Sequence, residues 1–329
     1  MGFKGAATLA CAAAITIGVA APAAATSQIT ELPAPAGAFL TYALDINDAG
    51  IAVGKATHEN GSHATRWSAD NQVTVLPTLP MESNSYAEAI NTKGTIVGNS
   101  GVRAVQWNAD GSSTELTRPN GFFESYANDI NDNGEIAGSV RNHDGNRAVK
   151  WYRTDKPVEL ESLFTGQITL AHAINSSGAL VGESGDQAVR WDADGRISML
   201  SVPGNVTKSV ALGLNDHGEA VGYVRTPEHP YGQPARWDVK GNITLLPLLG
   251  IGRDSWAIDI NTDGTIVGNS SSDGRWDMRG VRWGADGSIT DLGTLKGDTD
   301  SSAEGINGAG AIVGYSEAVD MIRPVRWTP

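Results

Sequence analysis

Residues 86–107 read YAEAINTKGTIVGNSGVRAVQW, and variants of this string recur along the 329-residue chain. Every copy carries an Asn after Ile or Leu, a Gly three residues beyond that Asn, a second Gly four residues further on, and a Trp near its end. Successive Asn residues are 40 to 46 positions apart, and self-similarity at such a period indicates a repeat architecture. The seven residues are Asn47, Asn91, Asn131, Asn175, Asn215, Asn261 and Asn307.

Each copy divides into four short segments that favour β-strand. In the quoted copy the first three are YAEAIN, GTIVG and RAVQW, and in a later copy the fourth reads SITDL. Val, Ile, Thr, Tyr and Trp are enriched in strands, and such short runs do not suit helices. Asn-x-x-Gly and Ala-Asp-Gly turn signals separate the segments. Four antiparallel strands in a unit of this size are typical of a propeller blade, so the sequence predicts an all-β, seven-bladed β-propeller.

The two ends of the chain complement each other. The last copy stops at Pro329 and lacks a fourth strand, whereas residues 29–32, ITEL, precede the first copy and match residues 289–292, ITDL. We therefore expect an N-terminal strand to complete the last blade and close the ring, which removes both exposed strand edges. An open β-solenoid would not need this offset. The expected propeller is a single domain over residues 26–329.

Residues 1–25 have the features of a secretory signal peptide. Lys4 precedes an uncharged apolar run over residues 6–20, and residues 23–25 are three Ala, so we expect cleavage after Ala25 and a secreted, extracellular protein. The single Cys of the chain, Cys11, leaves with this segment. The mature protein is then free of disulfides, and its stability has to come from a large packed core.

The charge balance excludes some partners. Asp and Glu total 37 against 24 Lys and Arg, a net charge of −13. A phosphate backbone repels such a surface and the sequence contains no basic patch, so we expect no nucleic-acid partner. After residue 25 no segment is apolar enough to span a membrane. We expect a monomer that meets an extracellular ligand, either a glycan or a protein.

The repeat pattern resembles the bacterial HAF-type extracellular repeat family over residues 27–329. The departures from the pattern are Leu214 before Asn215, Gln106 and Lys150 in place of Arg before Trp, and the turn at residues 155–157. The resemblance implies export and a propeller-like array, and it implies little about activity. In the second copy the matching residues are Ala87, Ile90, Asn91, Gly94, Ile96, Val97, Gly98, Ala104 and Trp107.

Residues that recur in every copy suit a structural role, because one functional site needs only one or a few copies. We expect each recurring Trp to pack between neighbouring blades. The two connections with uniform turns lie at one end of every blade, so the variable connections share the opposite face. Variable loops on a rigid frame are where propellers carry function.

The innermost strand begins at that variable face, and its residues differ between copies. The position two before the Ile or Leu reads Leu44, Glu88, Asn128, His172, Leu212, Ile258 and Glu304. Aromatic residues occupy the position before the Ala in several copies. We expect a ligand-binding site at the channel mouth, although these groups could instead only satisfy one another in a wet channel. Its residues are Tyr86, Glu88, Tyr126, Asn128, His172, Trp256 and Glu304.

Complete catalytic or metal-binding motifs do not occur. The chain has no G-x-S-x-G nucleophile elbow, His58-Glu59 with His63 is one residue too long for the zinc motif, and the turn at residues 192–195 lacks the further ligands of a calcium loop. We predict no metal site and no cofactor, with calcium or another divalent cation left open. The catalytic candidates are His172 with Glu88 or Glu304, as an acid–base pair.

Three functions agree with these features. The leading interpretation is a secreted binding or scaffold propeller that holds a glycan, a cell-wall component or a protein on its variable-loop face, because Tyr and Trp suit such ligands. An extracellular hydrolase or lyase with a channel-mouth acid–base site is the alternative. A purely structural surface array is the third. The lack of a complete catalytic set favours binding over catalysis.

Overall fold

The computed structural model describes residues 28–250, 254–271 and 277–329. Within these ranges all regular structure is β-strand and no helix occurs, which confirms the all-β prediction. The predicted signal peptide, residues 1–25, lies outside the described residues. Over the described ranges, no helix has the length and apolar character needed to cross a membrane.

The strands follow the repeat, four to a unit, and units are numbered 1 to 7 by their recurring Asn. The strand that precedes unit 1 is β1 (Gln28–Glu31). Unit 1 contains β2 (Leu40–Ile46), β3 (Ala52–His58), β4 (Gly61–Trp67) and β5 (Val73–Val75). Unit 2 contains β6 (Ser85–Ile90), β7 (Ile96–Ser100), β8 (Arg103–Trp107) and β9 (Ser113–Glu115). Unit 3 contains β10 (Glu124–Ile130), β11 (Ile136–Asn142), β12 (Gly145–Trp151) and β13 (Pro157–Glu159).

The later units repeat this order, except that unit 7 contains three strands. Unit 4 contains β14 (Thr169–Ile174), β15 (Leu180–Ser184), β16 (Gln187–Trp191) and β17 (Ile197–Met199). Unit 5 contains β18 (Lys208–Leu214), β19 (Ala220–Arg225), β20 (Gln233–Trp237) and β21 (Ile243–Leu245). Unit 6 contains β22 (Ser255–Ile260), β23 (Ile266–Ser271), β24 (Met278–Trp283) and β25 (Ile289–Asp291). Unit 7 contains β26 (Asp300–Ile306), β27 (Ile312–Ala318) and β28 (Met321–Thr328).

Units 2 to 6 each form a separate four-stranded antiparallel sheet in chain order. The strands of units 1 and 7 belong to one eight-stranded sheet that also contains β1. A single parallel residue pair, Leu40 with Ile322, joins the two halves of this sheet. Each half therefore has the same four-stranded form as the other units.

The strand β1 takes the position of an outer strand in unit 7. It pairs antiparallel with β28, and Ile29 lies opposite Trp327. In unit 6 the outer strand β25 pairs with β24 so that Ile289 lies opposite Trp283. The registers match, so β1 occupies in unit 7 the place that β25 occupies in unit 6.

Every innermost strand carries a β-bulge at one position. In β6 the pairing with β7 shifts between Ala87 and Ala89, which leaves Glu88 as the extra residue. The second recurring Gly lies opposite this irregularity, and a Cβ on Gly98 would lie 2.0 Å from the Tyr86 carbonyl oxygen. Only Gly fits there, because the bulge presses the neighbouring backbone against that position.

The core lies between adjacent units, and the recurring Trp residues occupy it. Trp107 is fully buried and packs in one cluster with Val53 and Ala64 of the preceding unit. Its indole N–H donates to the Pro77 carbonyl at 2.7 Å. The prediction that these residues pack between units is confirmed. All seven have no exposed surface: Trp67, Trp107, Trp151, Trp191, Trp237, Trp283 and Trp327.

The recurring Asn links each unit to the next. Asn91 Oδ1 accepts the Thr95 N–H within its own turn at 3.0 Å, while Nδ2 donates to the Asn131 carbonyl of unit 3 at 3.1 Å. The same bond recurs in every unit, and Asn307 of the last unit donates to the carbonyl of Asn47 in the first at 3.1 Å. The expected structural role of this Asn is confirmed.

Candidate functional site

The bulged residues of all seven units line one cavity of about 220 Å³, here called the strand cavity. Four of them are polar and belong to the predicted site: Glu88, Asn128, His172 and Glu304. The other three are apolar: Leu44, Leu212 and Ile258. The volume is below the roughly 300–1,000 Å³ of pockets for drug-sized ligands, so the cavity admits one small group.

In six of the seven units the residue after the bulge also lines this cavity, which the sequence did not predict. Alternation along a strand directs consecutive side chains to opposite faces. A bulge breaks that alternation and re-aims one side chain, so Glu88 and Ala89 both face the cavity. In units 1, 3 and 6 this second position holds a carboxylate: Asp45, Asp129 and Asp259.

These three aspartates each bridge two units through backbone hydrogen bonds. Asp45 accepts the Ile46 N–H at 2.7 Å and the Ile90 N–H of unit 2 at 2.8 Å. Asp129 and Asp259 make the corresponding pairs of bonds, each reaching the next unit. One oxygen of each carboxylate accepts from the next residue of its own strand, and the other links that strand to the innermost strand of the next unit.

Burial raises the pKa of these carboxyl groups. The pKa of Asp45 rises to about 7 because it is surrounded by protein and faces the charges of Asp259 and Asp129, although its two N–H donors oppose the rise. Burial also raises the pKa of Asp129 to about 7, and that of Asp259 rises for the same reason. The strand cavity therefore has a ring of carboxyl groups that protonate more readily than ordinary aspartates.

At the edge of the strand cavity, units 7, 1 and 2 contribute a group of residues here called the mouth cluster. It consists of two residues that line the cavity, Glu88 and Glu304, and of Tyr42, Lys55, Tyr86 and Tyr315. Lys55 Nζ lies 4.8 Å from the ring centre of Tyr42 and 5.2 Å from that of Tyr86, distances at which an ammonium is attracted to a ring face. Tyr315 packs edge-on against Tyr42 with ring centres 5.1 Å apart.

The two glutamates of the mouth cluster share Lys55 as a neighbouring charge. Burial raises the pKa of Glu88, and Lys55 opposes that rise. Burial also raises the pKa of Glu304, against the Ser302 hydroxyl and Lys55. The Ser302 hydroxyl donates to Glu304 Oε1 at 2.6 Å. Lys55 was not predicted as a site residue, and the only available signal was that the position after the second recurring Gly varies between copies.

His172 has a different partner from the one expected. Its Nε2 lies 3.8 Å from Glu183 Oε1, and Glu183 Oε2 lies 2.7 Å from Lys208 Nζ. Burial raises the pKa of Glu183, but the neighbouring His172 and Lys208 outweigh it and hold the pKa below its ordinary value. Within the described ranges the imidazole forms no ion-pair contact with Glu88 or Glu304, the carboxylates that the sequence suggested.

The three predicted aromatic site residues do not line the strand cavity. Tyr86 belongs to the mouth cluster next to it. The Tyr126 hydroxyl donates to Glu124 at 2.8 Å, and Trp256 Nε1 donates to the Tyr231 carbonyl at 3.2 Å. Asn128, which does line the cavity, donates to the Ala171 carbonyl of unit 4 at 2.8 Å.

A second cavity lies at the end of the innermost strands, among the Asn-x-x-Gly turns of all seven units. Its exposed carboxylates are committed to neighbouring turns: Asp132 accepts the Thr92 N–H at 2.9 Å and Asp216 accepts the Ser176 N–H at 2.8 Å. Across residues 28–250, 254–271 and 277–329, no group of three or more His, Asp and Glu is arranged to hold a metal ion.

Comparison with solved structures identifies the fold as a β-propeller. A catalytically inactive histidine-to-alanine variant of virginiamycin B lyase from Staphylococcus aureus, with quinupristin, is 16% identical with a TM-score of 0.63, covering 92% of this chain and 99% of that one. An oligogalacturonate lyase in complex with manganese is 12% identical with a TM-score of 0.62, covering 92% and 93%. A puromycin hydrolase is 14% identical with a TM-score of 0.60, covering 89% and 55%.

These identities are low, so the likeness concerns the fold alone. No protein-family model matches the chain, and a search of curated proteins finds no match.

Proposed function

We propose that the chain is a secreted seven-bladed β-propeller that binds an extracellular ligand where the mouth cluster meets the strand cavity. Export rests on the signal-peptide features of residues 1–25 and on the resemblance to HAF-type repeats. The ligand enters from the variable-loop face, as far as the bulged residues. Glycans and cell-wall fragments are suitable first probes for this ligand.

Three features support a closed ring of seven blades. The strand β1 pairs with β28 in the register of an outer strand. The Asn hydrogen bonds run through every unit and return from Asn307 to Asn47. Both cavities are lined by residues of all seven units. A ring removes the open strand edges that an array of separate sheets would expose.

The observation that carries the binding function is the repeated β-bulge. Seven equivalent positions face one cavity, and a purely structural array has no need for polar groups there. Yet Glu88, Asn128, His172 and Glu304 occupy four of these positions. Polar side chains that converge on a concave site from separate elements are typical of ligand-binding pockets.

The experiment is a thermal-shift screen of residues 26–329 against glycans, cell-wall fragments, calcium, other divalent metals and EDTA. A ligand that binds only the folded state raises the melting temperature by mass action. We expect a shift with at least one probe that Glu88→Ala and His172→Ala abolish and that Lys93→Ala, on an exposed turn, leaves unchanged. A shift that survives both cavity variants would contradict the proposed site.

An extracellular lyase or hydrolase is the second candidate, and the contacts of His172 favour it. An imidazole on the cavity wall with Glu183 behind it, itself paired to Lys208, resembles the arrangement of an oriented acid–base residue. Streptogramin B antibiotics, oligogalacturonate and puromycin, named by the structurally similar enzymes, are suitable trial substrates. Turnover with a His-like limb in its pH profile, lost in His172→Ala, would establish this candidate. Equal turnover by the wild type and His172→Ala would remove it.

A further inference from the structure

The mouth cluster contains one donor and one acceptor that the protein itself leaves open. Neither the Lys55 ammonium nor the Glu88 carboxylate makes a hydrogen bond or a close ion pair with any residue that the structure describes. The two groups are close enough for the Lys55 charge to oppose the rise that burial causes in the pKa of Glu88. Both side chains are only partly buried, so their polar ends are accessible to a ligand.

The open donor is held in place rather than free to move. The rings of Tyr42 and Tyr86 flank Lys55 Nζ at 4.8 and 5.2 Å, and Tyr315 braces Tyr42 from the side at 5.1 Å. A lysine side chain loses considerable rotamer freedom when a ligand orders it. Here the tyrosines have already ordered it, so less of the binding free energy is lost to that step.

The charges around the pair select the kind of ligand. A cationic group would meet the Lys55 ammonium, which lies next to the Tyr42 and Tyr86 rings, and an anionic group would meet the carboxyl groups of Glu88 and Glu304. A hydroxyl group both donates and accepts, so neighbouring hydroxyls can accept from Lys55 while donating to Glu88. The half-buried Tyr86 ring adds an apolar surface of the kind that packs against sugar C–H groups.

From this arrangement we infer that the mouth cluster binds a neutral polyhydroxylated sugar, with Lys55 and Glu88 as the two residues that determine specificity. The inference rests on the proposed ligand-binding function. The cavity of about 220 Å³ has room for one sugar ring, so the terminal residue of a glycan enters and the remainder lies across the variable loops.

The test compares three tetrasaccharides of equal length and different charge by titration calorimetry: cellotetraose, which is neutral, a glucosamine tetramer, which is cationic, and a galacturonate tetramer, which is anionic. We expect cellotetraose to bind at least tenfold more tightly than either charged tetramer. Lys55→Met and Glu88→Gln should each weaken cellotetraose at least tenfold. Lys93→Met, on an exposed turn, should leave binding unchanged.

Lys55→Met provides a second readout that a folding defect does not imitate. Removing the ammonium leaves Glu88 and Glu304 without their shared cation, so the variant should gain affinity for the glucosamine tetramer while losing affinity for cellotetraose. Equal binding of all three tetramers by the wild type, or unchanged cellotetraose binding in Lys55→Met, would overturn the inference.

The two proposals fail in different ways. If no tetramer binds, but another probe of the thermal-shift screen binds and loses affinity in His172→Ala, the sugar inference is overturned and the binding function stands. If every ligand that binds is unaffected by Glu88, Lys55 and His172 variants, both are overturned.

Discussion

Replacement of Asp45 by Asn should change how the stability of the protein depends on pH. In the folded protein the pKa of Asp45 is about 7, against an ordinary value of 3.8. Between these two values the folded state holds a proton that the unfolded state has lost, so the free energy of unfolding falls as the pH rises. The stabilisation by that proton is present in mild acid and is lost as the pH passes through about 7.

The expected size follows from the pKa difference. At 1.36 kcal/mol per pKa unit, integration from pH 5 to pH 8 gives a loss of about 2.5 kcal/mol for this one group. Asp45 is partly exposed to solvent, which screens its carboxylate, so this is an upper limit. At pH 5 the Asn variant is the less stable protein, because its amide cannot accept both the Ile46 and Ile90 N–H groups and one lost bond of this kind costs about 1–3 kcal/mol.

The assay is urea unfolding of the wild type and Asp45→Asn at half-unit steps from pH 5 to pH 8. The stability gap between them should shrink steadily and close or reverse by pH 8. Asp286→Asn is the matched control, because Asp286 is an exposed turn residue whose pKa is lowered by hydrogen bonds from Ser288 and does not titrate in this range. A gap that stays constant from pH 5 to pH 8 would show that Asp45 does not titrate near pH 7 in the folded protein.

Three further variants test the packing between and within units, all by urea unfolding at pH 7. Trp191→Ala should cost about 3–5 kcal/mol, because it empties a fully buried position and removes the bond to the Glu161 carbonyl; a cost below about 1 kcal/mol would be inconsistent with the core. Gly98→Ala should lower the free energy of unfolding by about 3 kcal/mol or more, since the new Cβ would lie 2.0 Å from a carbonyl oxygen. The control is Gly204→Ala, whose Cβ would have no atom within 4 Å, and its free energy of unfolding should stay within about 0.5 kcal/mol of the wild type. Lys150→Met breaks a buried ion pair with Glu135 and should lower the free energy of unfolding by about 3 kcal/mol. The control, Arg153→Met, breaks the exposed Arg153–Asp155 pair and should lower it by about 0–1 kcal/mol. Equal losses in the two variants would contradict this expectation.

The strands and the residues at the cavity-facing position of each innermost strand could be predicted from the repeat, because both depend on local sequence. Turn signals and strand propensity define the units, and Glu88, Asn128, His172 and Glu304 share one position in the alignment of the copies. They line one cavity in the structure. Comparison of the copies is enough to place a residue where equivalent residues have equivalent surroundings in every unit.

The cavity-lining aspartates could not be predicted from the sequence, because the bulge is a property of the paired strands. Simple alternation places Asp45 on the face opposite Leu44, and only the shifted register brings both to the cavity. Partners on other strands were missed for a related reason. Lys55 and Tyr86 are 31 positions apart and meet through sheet packing, and Glu183 reaches His172 from the neighbouring strand.

Ring closure by β1 is the claim on which the channel and its mouth depend, and thermal unfolding of a chain without residues 26–33 tests it most directly. Removing β1 exposes the edge of β28 and leaves Trp327 without the strand that carries Ile29. We expect a large fall in melting temperature that a synthetic peptide of residues 26–34, added in excess, largely reverses. An unchanged melting temperature in the shortened chain would contradict ring closure by β1.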